Sequence, residues 1–285
     1  MKIAFLGPEG SYSHLAAKEF LKTEASKQTE KRGWDECIPF RNFPEVLAAV
    51  DSERVDAAAL PIENSLQGGV LQNLDLLQAS ENLYAVKETT VRLDHRLVYK
   101  AGMKLSEIGR IYSHRQALDQ CAAFLSKEMP FASLREVEST GFGLTRAMED
   151  DTGKSAAIAG AHTEKLRGGF VLSEECISDE KNNFTRFLLI KKGEKSLPTV
   201  SSRIYFSAVC PHKPGGLLEL LQVILEHGVN MTKIESRPVK NRPGDFRFFI
   251  EADCNIGDES TQEMLNSIKE RTLECKLIGA YSRNE

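Results

Sequence analysis

The pair Thr185-Arg186 stands between Asn182-Asn183-Phe184 and the apolar run Phe187-Leu188-Leu189-Ile190. The run reads as a strand, and an acidic, irregular stretch precedes the pair. A strand opening holds its polar residues at the rim of a sheet, where α/β proteins bind ligands. A hydroxyl there can hydrogen-bond a leaving group, and a guanidinium can clamp a carboxylate through two parallel bonds. Other polar corners repeat the arrangement. Pro61-Ile62-Glu63-Asn64-Ser65-Leu66-Gln67-Gly68-Gly69-Val70 reads as a strand end followed by a helix, with Asn64 and Ser65 suited to cap it. Ser113-His114-Arg115-Gln116-Ala117-Leu118-Asp119-Gln120-Cys121 follows a strand and opens a helix, with Ser113 as a cap and Leu118 and Cys121 toward the core. Glu138-Ser139-Thr140 and Gly7-Pro8-Glu9-Gly10-Ser11-Tyr12-Ser13 are two more such corners. Helix starts converging on one cleft suit a small dianion, held by N–H groups, hydroxyls and one Arg.

Several chemistries are excluded. Gly-x-x-Gly-Ser lacks the Lys-Ser/Thr ending of a phosphate-binding loop and is no dinucleotide fingerprint, so no nucleotide is expected. A net charge of −4 argues against a nucleic-acid footprint. The six cysteines are far apart, without Cys-x-x-Cys, and read as reduced thiols of a cytoplasmic protein. The six histidines form no pair with zinc spacing, so no metal and no cofactor are expected. No apolar run approaches the ~20 residues that span a membrane, and strand-like residues from Lys2 onward leave no signal peptide.

The elements that must position these residues fall into two sets. Strands over residues 2–6, 55–60, 110–113, 155–159 and 186–190, with Pro61 ending the second, alternate with helical patterns such as 116–125. That rhythm predicts an α/β domain with a parallel or mixed sheet over residues 1–191. Residues 192–201 read as a linker, charged and with Gly193 and Pro198. Residues 202–285 change rhythm. A strand carries Ile204, Phe206 and Ala208, and a helical face carries Leu217, Leu220, Leu221 and Ile224. Strands at 230–239 and 246–253, a helix at 259–269 and a last strand at 273–281 complete a ferredoxin-like βαββαβ order.

In their order along nearly the whole chain, these strings resemble the prephenate dehydratase family. The matches are Asp179…Asn183-Phe184-Thr185-Arg186-Phe187, the Pro-x-Glu-Asn-Ser-x-x-Gly-x-Val string from Pro61, and the Ser-His-x-Gln-Ala-x-x-Gln-Cys string from Ser113. Ser139-Thr140 and the Gly7–Ser13 corner also match. In the second domain Gly215-Gly216-Leu217-Leu218, and the strand from Asn230 through Glu235-Ser236-Arg237-Pro238, resemble the ACT regulatory module.

The resemblance implies a two-lobed, periplasmic-binding-protein-like catalytic domain followed by an ACT domain, and decarboxylating dehydration of prephenate to phenylpyruvate. It implies Thr185, Arg186, Ser113 and Glu63 as catalytic, with Thr185 bonding the departing hydroxyl. Arg186 either clamps a substrate carboxylate or holds Glu63 or Asp179, and Glu63 is either structural or a proton donor. Ser11, Asn64, Ser65, Gln116, Gln120, Ser139, Thr140 and Phe187 would bind substrate. Gly215, Gly216, Leu217, Leu218, Asn230, Glu235, Ser236, Arg237 and Pro238 would bind L-phenylalanine as an allosteric inhibitor, in a homodimer or homotetramer paired through ACT domains. Departures at Arg115, Gly141-Phe142-Gly143 and Gly168-Gly169-Phe170 leave the choice between prephenate and arogenate open. The rival from another class is a non-catalytic sensor. No chorismate mutase-like helical extension is read, so one activity is expected.

Overall fold

The computed structural model describes residues 1–25, 36–163, 166–240 and 242–282. A first lobe is built from β1 (Lys2–Leu6), α1 (Tyr12–Ala25), β2 (Glu36–Phe40), α2 (Phe43–Asp51), β3 (Ala57–Asn64), β4 (Gly68–Gly69), α3 (Leu71–Ala79) and β5 (Leu83–Arg92). The chain then crosses to a second lobe of β6 (His95–Lys100), β7 (Arg110–Ser113), α4 (Arg115–Asp119), α5 (Ala122–Glu128), β8 (Ser133–Glu136), α6 (Thr140–Met148), β9 (Ser155–Gly160) and β10 (Phe170–Leu172). It returns with β11 (Phe184–Lys192), which inserts antiparallel between β3 and β5. The second domain follows as β12 (Arg203–Val209), α7 (Gly216–Glu226), β13 (Asn230–Pro238), β14 (Phe246–Asp253), α8 (Glu259–Arg271) and β15 (Glu274–Tyr281), the expected βαββαβ order.

Two local readings change. Pro61 does not end its strand, because β3 runs on to Asn64. β1 pairs with β3 only at Ala57 and Ala58, so the edge that Pro61 would have to serve as a donor is already open. The helix expected over 116–125 is two short helices broken at Gln120-Cys121. The break is stabilised from outside. Asp179 accepts from Ala123 N at 3.0 Å and Phe124 N at 3.3 Å, and its own N–H donates to Gln120 O at 2.8 Å.

Strand order makes the domains continuous. The second lobe has its own sheet, β10-β6-β9-β7-β8, but the larger sheet runs β13-β14-β12-β15-β5-β11-β3-β1-β2 through both the second domain and the first lobe. The two halves meet where Gly279 of β15 pairs in parallel with Ala85 of β5. Tyr205, Phe249, Ile278 and Tyr281 of the second domain belong to one buried cluster with Leu60, Leu74, Leu188 and Ile190 of the first lobe. Lys276 of β15 donates to Leu77 O at 2.8 Å and Gln78 O at 2.9 Å, and also to Ser80 O, capping the end of α3 across the junction. Among the described residues no helix is long and apolar enough to cross a membrane.

The junction requires glycine at position 279, since a Cβ there would stand 2.2 Å from Ala85 O. Gly279→Ala is expected to cost about 1–3 kcal/mol, the usual cost of overpacking. A lowered urea midpoint and melting temperature would register it, and an unchanged midpoint would mean that the junction yields.

Candidate active site

β11 determines which groups meet. Side chains alternate along a strand, so Thr185 and Phe187 fall on one face and Arg186 on the other. Thr185 and Phe187 line a cleft of about 420 Å³ between the lobes, together with Ser11, Asn64, Gln116, Gln120, Ser139 and Thr140. The structure therefore brings these sequence-predicted residues together. Glu63, Ser65, Ser113 and Arg186 are not among its lining residues.

Each of those four has another partner. Ser113 is fully buried and donates to Ile158 O at 3.1 Å, inside the second lobe. His114, not Ser113, caps α4, accepting from Gln116 N at 3.2 Å. Ser65 accepts from Phe184 N at 3.0 Å and ties the end of β3 to β11. The expected helix start at Asn64-Ser65 is instead a turn into β4, and α3 begins later, at Leu71. Asn64 Oδ1 accepts from Leu66 N and Gln67 N, both at 3.1 Å. An Asx turn uses the same donor pattern as an N-cap, which is why the residues read as a cap.

This turn fixes the Asn64 amide. With its oxygen committed to the backbone, its nitrogen donates to Asn183 Oδ1 at 2.8 Å and shares its other hydrogen between Thr185 Oγ1 and Phe184 O, both at 3.1 Å. Thr185 oxygen is thus an acceptor from Asn64, and its own hydrogen is free for a ligand in the cleft. α1 and α6 start at the cleft wall. Ser139 caps α6, accepting from Phe142 N at 3.1 Å, and Ser11 accepts from His14 N at 3.2 Å. Helix N-termini carry partial positive charge suited to carboxylates. No lysine or arginine is among the described lining residues, so the expected Arg clamp is not seen at the cleft.

Arg186 points instead into a buried charge cluster between the domains. Its Nη2 lies 2.8 Å from Glu251 and 3.0 Å from Glu63, and its Nη1 lies 3.2 Å from Glu88. Tyr281 Oη donates to Glu251 at 2.5 Å, Arg203 flanks Glu88 and Glu251 at 3.6 and 3.7 Å, and Lys233 reaches Glu63 at 3.1 Å. Burial opposes the Arg186 charge, but Glu251, Tyr281 and Glu63 together outweigh it and hold the guanidinium pKa above its ordinary value. Burial likewise pushes Glu63 up, yet Lys233 and Arg186 prevail and hold it below the ordinary carboxylate value. Of the two partners left open for Arg186, Glu63 is the one found.

The lobes touch across the cleft mouth. Gln116 Nε2 donates to Gln67 Oε1 at 2.9 Å, and a Cβ at Gly141 would stand 2.7 Å from Pro8 Cγ. Gly141, a departure in the sequence, thus lies close against Pro8 of the other lobe, without room for a side chain. Tyr12, Gln67 and Glu138 stand in the corners read from the sequence without being assigned as site residues, whereas His95, also a cleft residue, stands in none. His95 begins β6, a lone histidine without a spaced partner, and no sequence signal marks it. Among the described residues no group of three or more His, Cys, Asp or Glu is placed to hold a metal ion.

A family model described as prephenate dehydratase matches residues 3–195, and an ACT domain model matches residues 204–270. The chain belongs to the prephenate dehydratase family. It is 33% identical over 99% of its length, and 74% of the relative's, to a bifunctional chorismate mutase/prephenate dehydratase of Aquifex aeolicus. Among solved structures it is similar to prephenate dehydratase from Arthrobacter aurescens in complex with L-Phe. That match has a TM-score of 0.84 and 30% identity, covering 99% of this chain and 90% of the other. A quorum-quenching acylase, GqqA, shares the fold with a TM-score of 0.83 at 24% identity, covering 100% of this chain and 98% of the other. Both structural matches extend over the two-lobed domain and the second domain of this chain.

The effector residues implied by the resemblance divide within one chain. β12 and β13 run in the same direction, with Val209 and Arg237 both opposite Arg247 of β14. Gly215–Leu218 at the start of α7 and Glu235–Pro238 therefore share one end of the sheet. Asn230 lies at the other end, about 25 Å away at ~3.3 Å per residue. Arg237 also reaches Asp75 of α3 at 2.5 Å.

Two outcomes follow from the cluster. Glu251→Ala leaves Arg186 without its nearest carboxylate and is expected to cost about 3–5 kcal/mol, read by urea unfolding. Because the folded-state pKa of Glu63 lies below its unfolded value of about 4.3, its stabilisation is complete above that pH and is lost as pH falls through the folded value. Stability measured between about pH 3 and 6 should fall more steeply in the wild type than in Glu63→Gln.

Proposed function

We propose that the cleft converts prephenate to phenylpyruvate, carbon dioxide and water, as a carbon–oxygen lyase. The observation that carries this reading is the oriented Thr185 hydroxyl, whose oxygen is engaged by Asn64 and whose hydrogen is left for a ligand. The dianion loses its ring carboxylate as carbon dioxide, and the bonding pair moves into the ring. The ring C–O bond breaks, and the departing hydroxide takes one proton to become water. Thr185 donates to that oxygen as charge develops on it. Ser11, Ser139, Thr140, Gln116 and Gln120 and the starts of α1 and α6 hold the two carboxylates. Arg186 acts through position, fixing the strand that carries Thr185. Glu63, held ionised by two cations, is structural.

One observation favours a second substrate. Glu138 lines the cleft as a carboxylate, and the amino group of arogenate would supply its counter-charge. The ratio of kcat/KM for the two substrates, in the wild type and in Glu138→Gln, separates the readings.

Regulation by L-phenylalanine and pairing through the second domain are part of the same proposal. The ACT family match and the L-Phe complex of the Arthrobacter relative support them. β13 ends the sheet with one edge open, and Leu218, Leu225 and Ile234 are exposed nearby, which suits a homodimer or homotetramer. The second domain touches the cleft's neighbours in sequence. Lys233 holds Glu63, next to Asn64, and Glu251 holds Arg186, next to Thr185. A shift of the second domain thus bears on both oriented groups, with a coupling of ~1–3 kcal/mol, as usual for allostery. Six free thiols suit a cytosolic enzyme.

Phenylpyruvate formation from prephenate, with and without L-phenylalanine, tests the reading. Thr185→Ala is expected to lower turnover by about 10²–10⁴-fold, the range for lost acid–base help. Near-normal turnover in that variant would remove Thr185 from the mechanism. Ligand binding without any turnover by the wild type would favour the sensor.

A further inference from the structure

His95 is only 2% exposed, yet it lies against the cleft. Its backbone is fixed by pairing with Gly160, by its N–H to Ser178 Oγ at 3.3 Å, and by its carbonyl, which accepts from Ile177 N at 2.8 Å. Both ring nitrogens are engaged. Nε2 lies 2.9 Å from Gln120 Oε1, and Nδ1 lies 3.3 Å from Tyr12 Oη. Tyr12 packs edge-on against the ring, with centroids 5.6 Å apart.

With the Gln120 amide placed oxygen toward the ring, these contacts have one polarity, in which Nε2 carries the imidazole hydrogen. Nδ1 is then bare and accepts from Tyr12. Burial keeps the imidazole pKa below its ordinary value, so the ring is neutral at pH 7 and the polarity persists. Gln120, whose backbone is held by Asp179 N, has its oxygen turned to His95. Its Nε2 is buried and, among the described residues, without a hydrogen-bond partner. Buried amide nitrogens are seldom left without any partner, so a water or a ligand group is expected against this one.

We propose that His95 is a positioning residue, which turns the Gln120 amide so that its NH2 group is presented to a carboxylate of the substrate. The inference rests on the reading of the cleft as the prephenate site. Its physical content is one choice of sign. A carboxylate offers only acceptors, so an amide in one orientation attracts it and in the other repels it. The His95 N–H selects the attracting orientation, and Tyr12 selects the tautomer that has that N–H.

The test is steady-state kinetics on prephenate for His95→Leu, His95→Gln, His95→Asn, Gln120→Leu and the His95→Leu/Gln120→Leu pair. His95→Leu should raise KM about 10–100-fold with little change in kcat, as when a group that orients a ligand-binding residue is lost. His95→Gln, whose amide nitrogen sits near the place of Nε2, should restore most of the affinity. His95→Asn, whose nitrogen sits near Nδ1 and faces away from Gln120, should not. In the Gln120→Leu background the His95 substitution should add nothing. Full affinity in His95→Leu, equal rescue by Asn and Gln, or additive losses in the pair would each overturn the inference. Should His95→Leu fail to fold, the contrast between the Gln and Asn variants still decides. Imidazole nitrogen NMR of the wild type gives a check that needs no turnover. A hydrogen on Nδ1, or an imidazolium at neutral pH, would refute the tautomer. A wild type inert toward prephenate would refute the substrate reading while this NMR result stood apart.

Discussion

The Arg186 guanidinium lies where the first lobe meets the second domain, and its charge has to be compensated there from both sides. Glu63 and Glu88 come from the lobe, and Glu251 comes from the second domain. Removing such ions from water costs several kcal/mol each, so the arrangement is tolerable only with directed partners. Arg186, Arg203 and Lys233 stand against Glu63, Glu88 and Glu251, with Asp253 a further carboxylate 3.4 Å from Arg203, and Tyr281 adds a hydrogen bond. Apolar packing around the cluster would accept many relative placements of the domains. Ion pairs of about 3 Å accept few, and so they fix the second domain on the shared sheet.

From that fixed point, geometry propagates along β11 and β3. Arg186 is anchored on one face of the strand, so Thr185 and Phe187 must show the other face to the cleft. Arg186 pairs in register with Glu63, and Thr185 with Asn64, so both strands turn a charged residue to the junction and a polar one to the cleft. The pairing skips Ile62 between Arg186 and Phe187, a bulge of the kind that redirects side chains beside functional sites. Pro61 and Asn64, three positions apart, can both reach the cleft because of it.

How much of this could be read in the sequence depended on range. Ser11, Ser139 and Thr140 were legible because a helix start is written within a few residues of itself. The βαββαβ order was legible from alternating periods. Asn64 was recognised as functional while its local role was misread, because an Asx turn and an N-cap have the same signature. Ser113 went the other way, since whether a strand's last hydroxyl faces a cleft or a neighbouring strand depends on β9, far along the chain. The partners of Arg186 were the hardest to read. Glu88 and Glu251 lie 98 and 65 residues away, and nothing local distinguishes them from surface carboxylates. His95 and Gln120 are closer, 25 residues apart, but one opens β6 and the other ends α4, and nothing local in either stretch reveals that they meet.

The chemistry proposed for the cleft places a specific demand on these groups. Loss of carbon dioxide and hydroxide from a dianion consumes one proton. Two of the titratable groups described are poor sources. Glu63 is held as a carboxylate away from the cleft, and the buried His95 is neutral with its single N–H committed to Gln120. In the proposed placement the group beside the leaving oxygen is the Thr185 alcohol, too weak an acid to protonate it outright. The C–O bond must therefore be largely broken before the proton arrives, with the Thr185 hydrogen bond strengthening as hydroxide character grows. Aromatisation makes such a late transfer affordable, since the ring gains its stability as the bond lengthens. Catalysis then relies on how rigidly Thr185 is aimed, and that aim is set by Asn64 on one side and by the Arg186 cluster one residue away on the other.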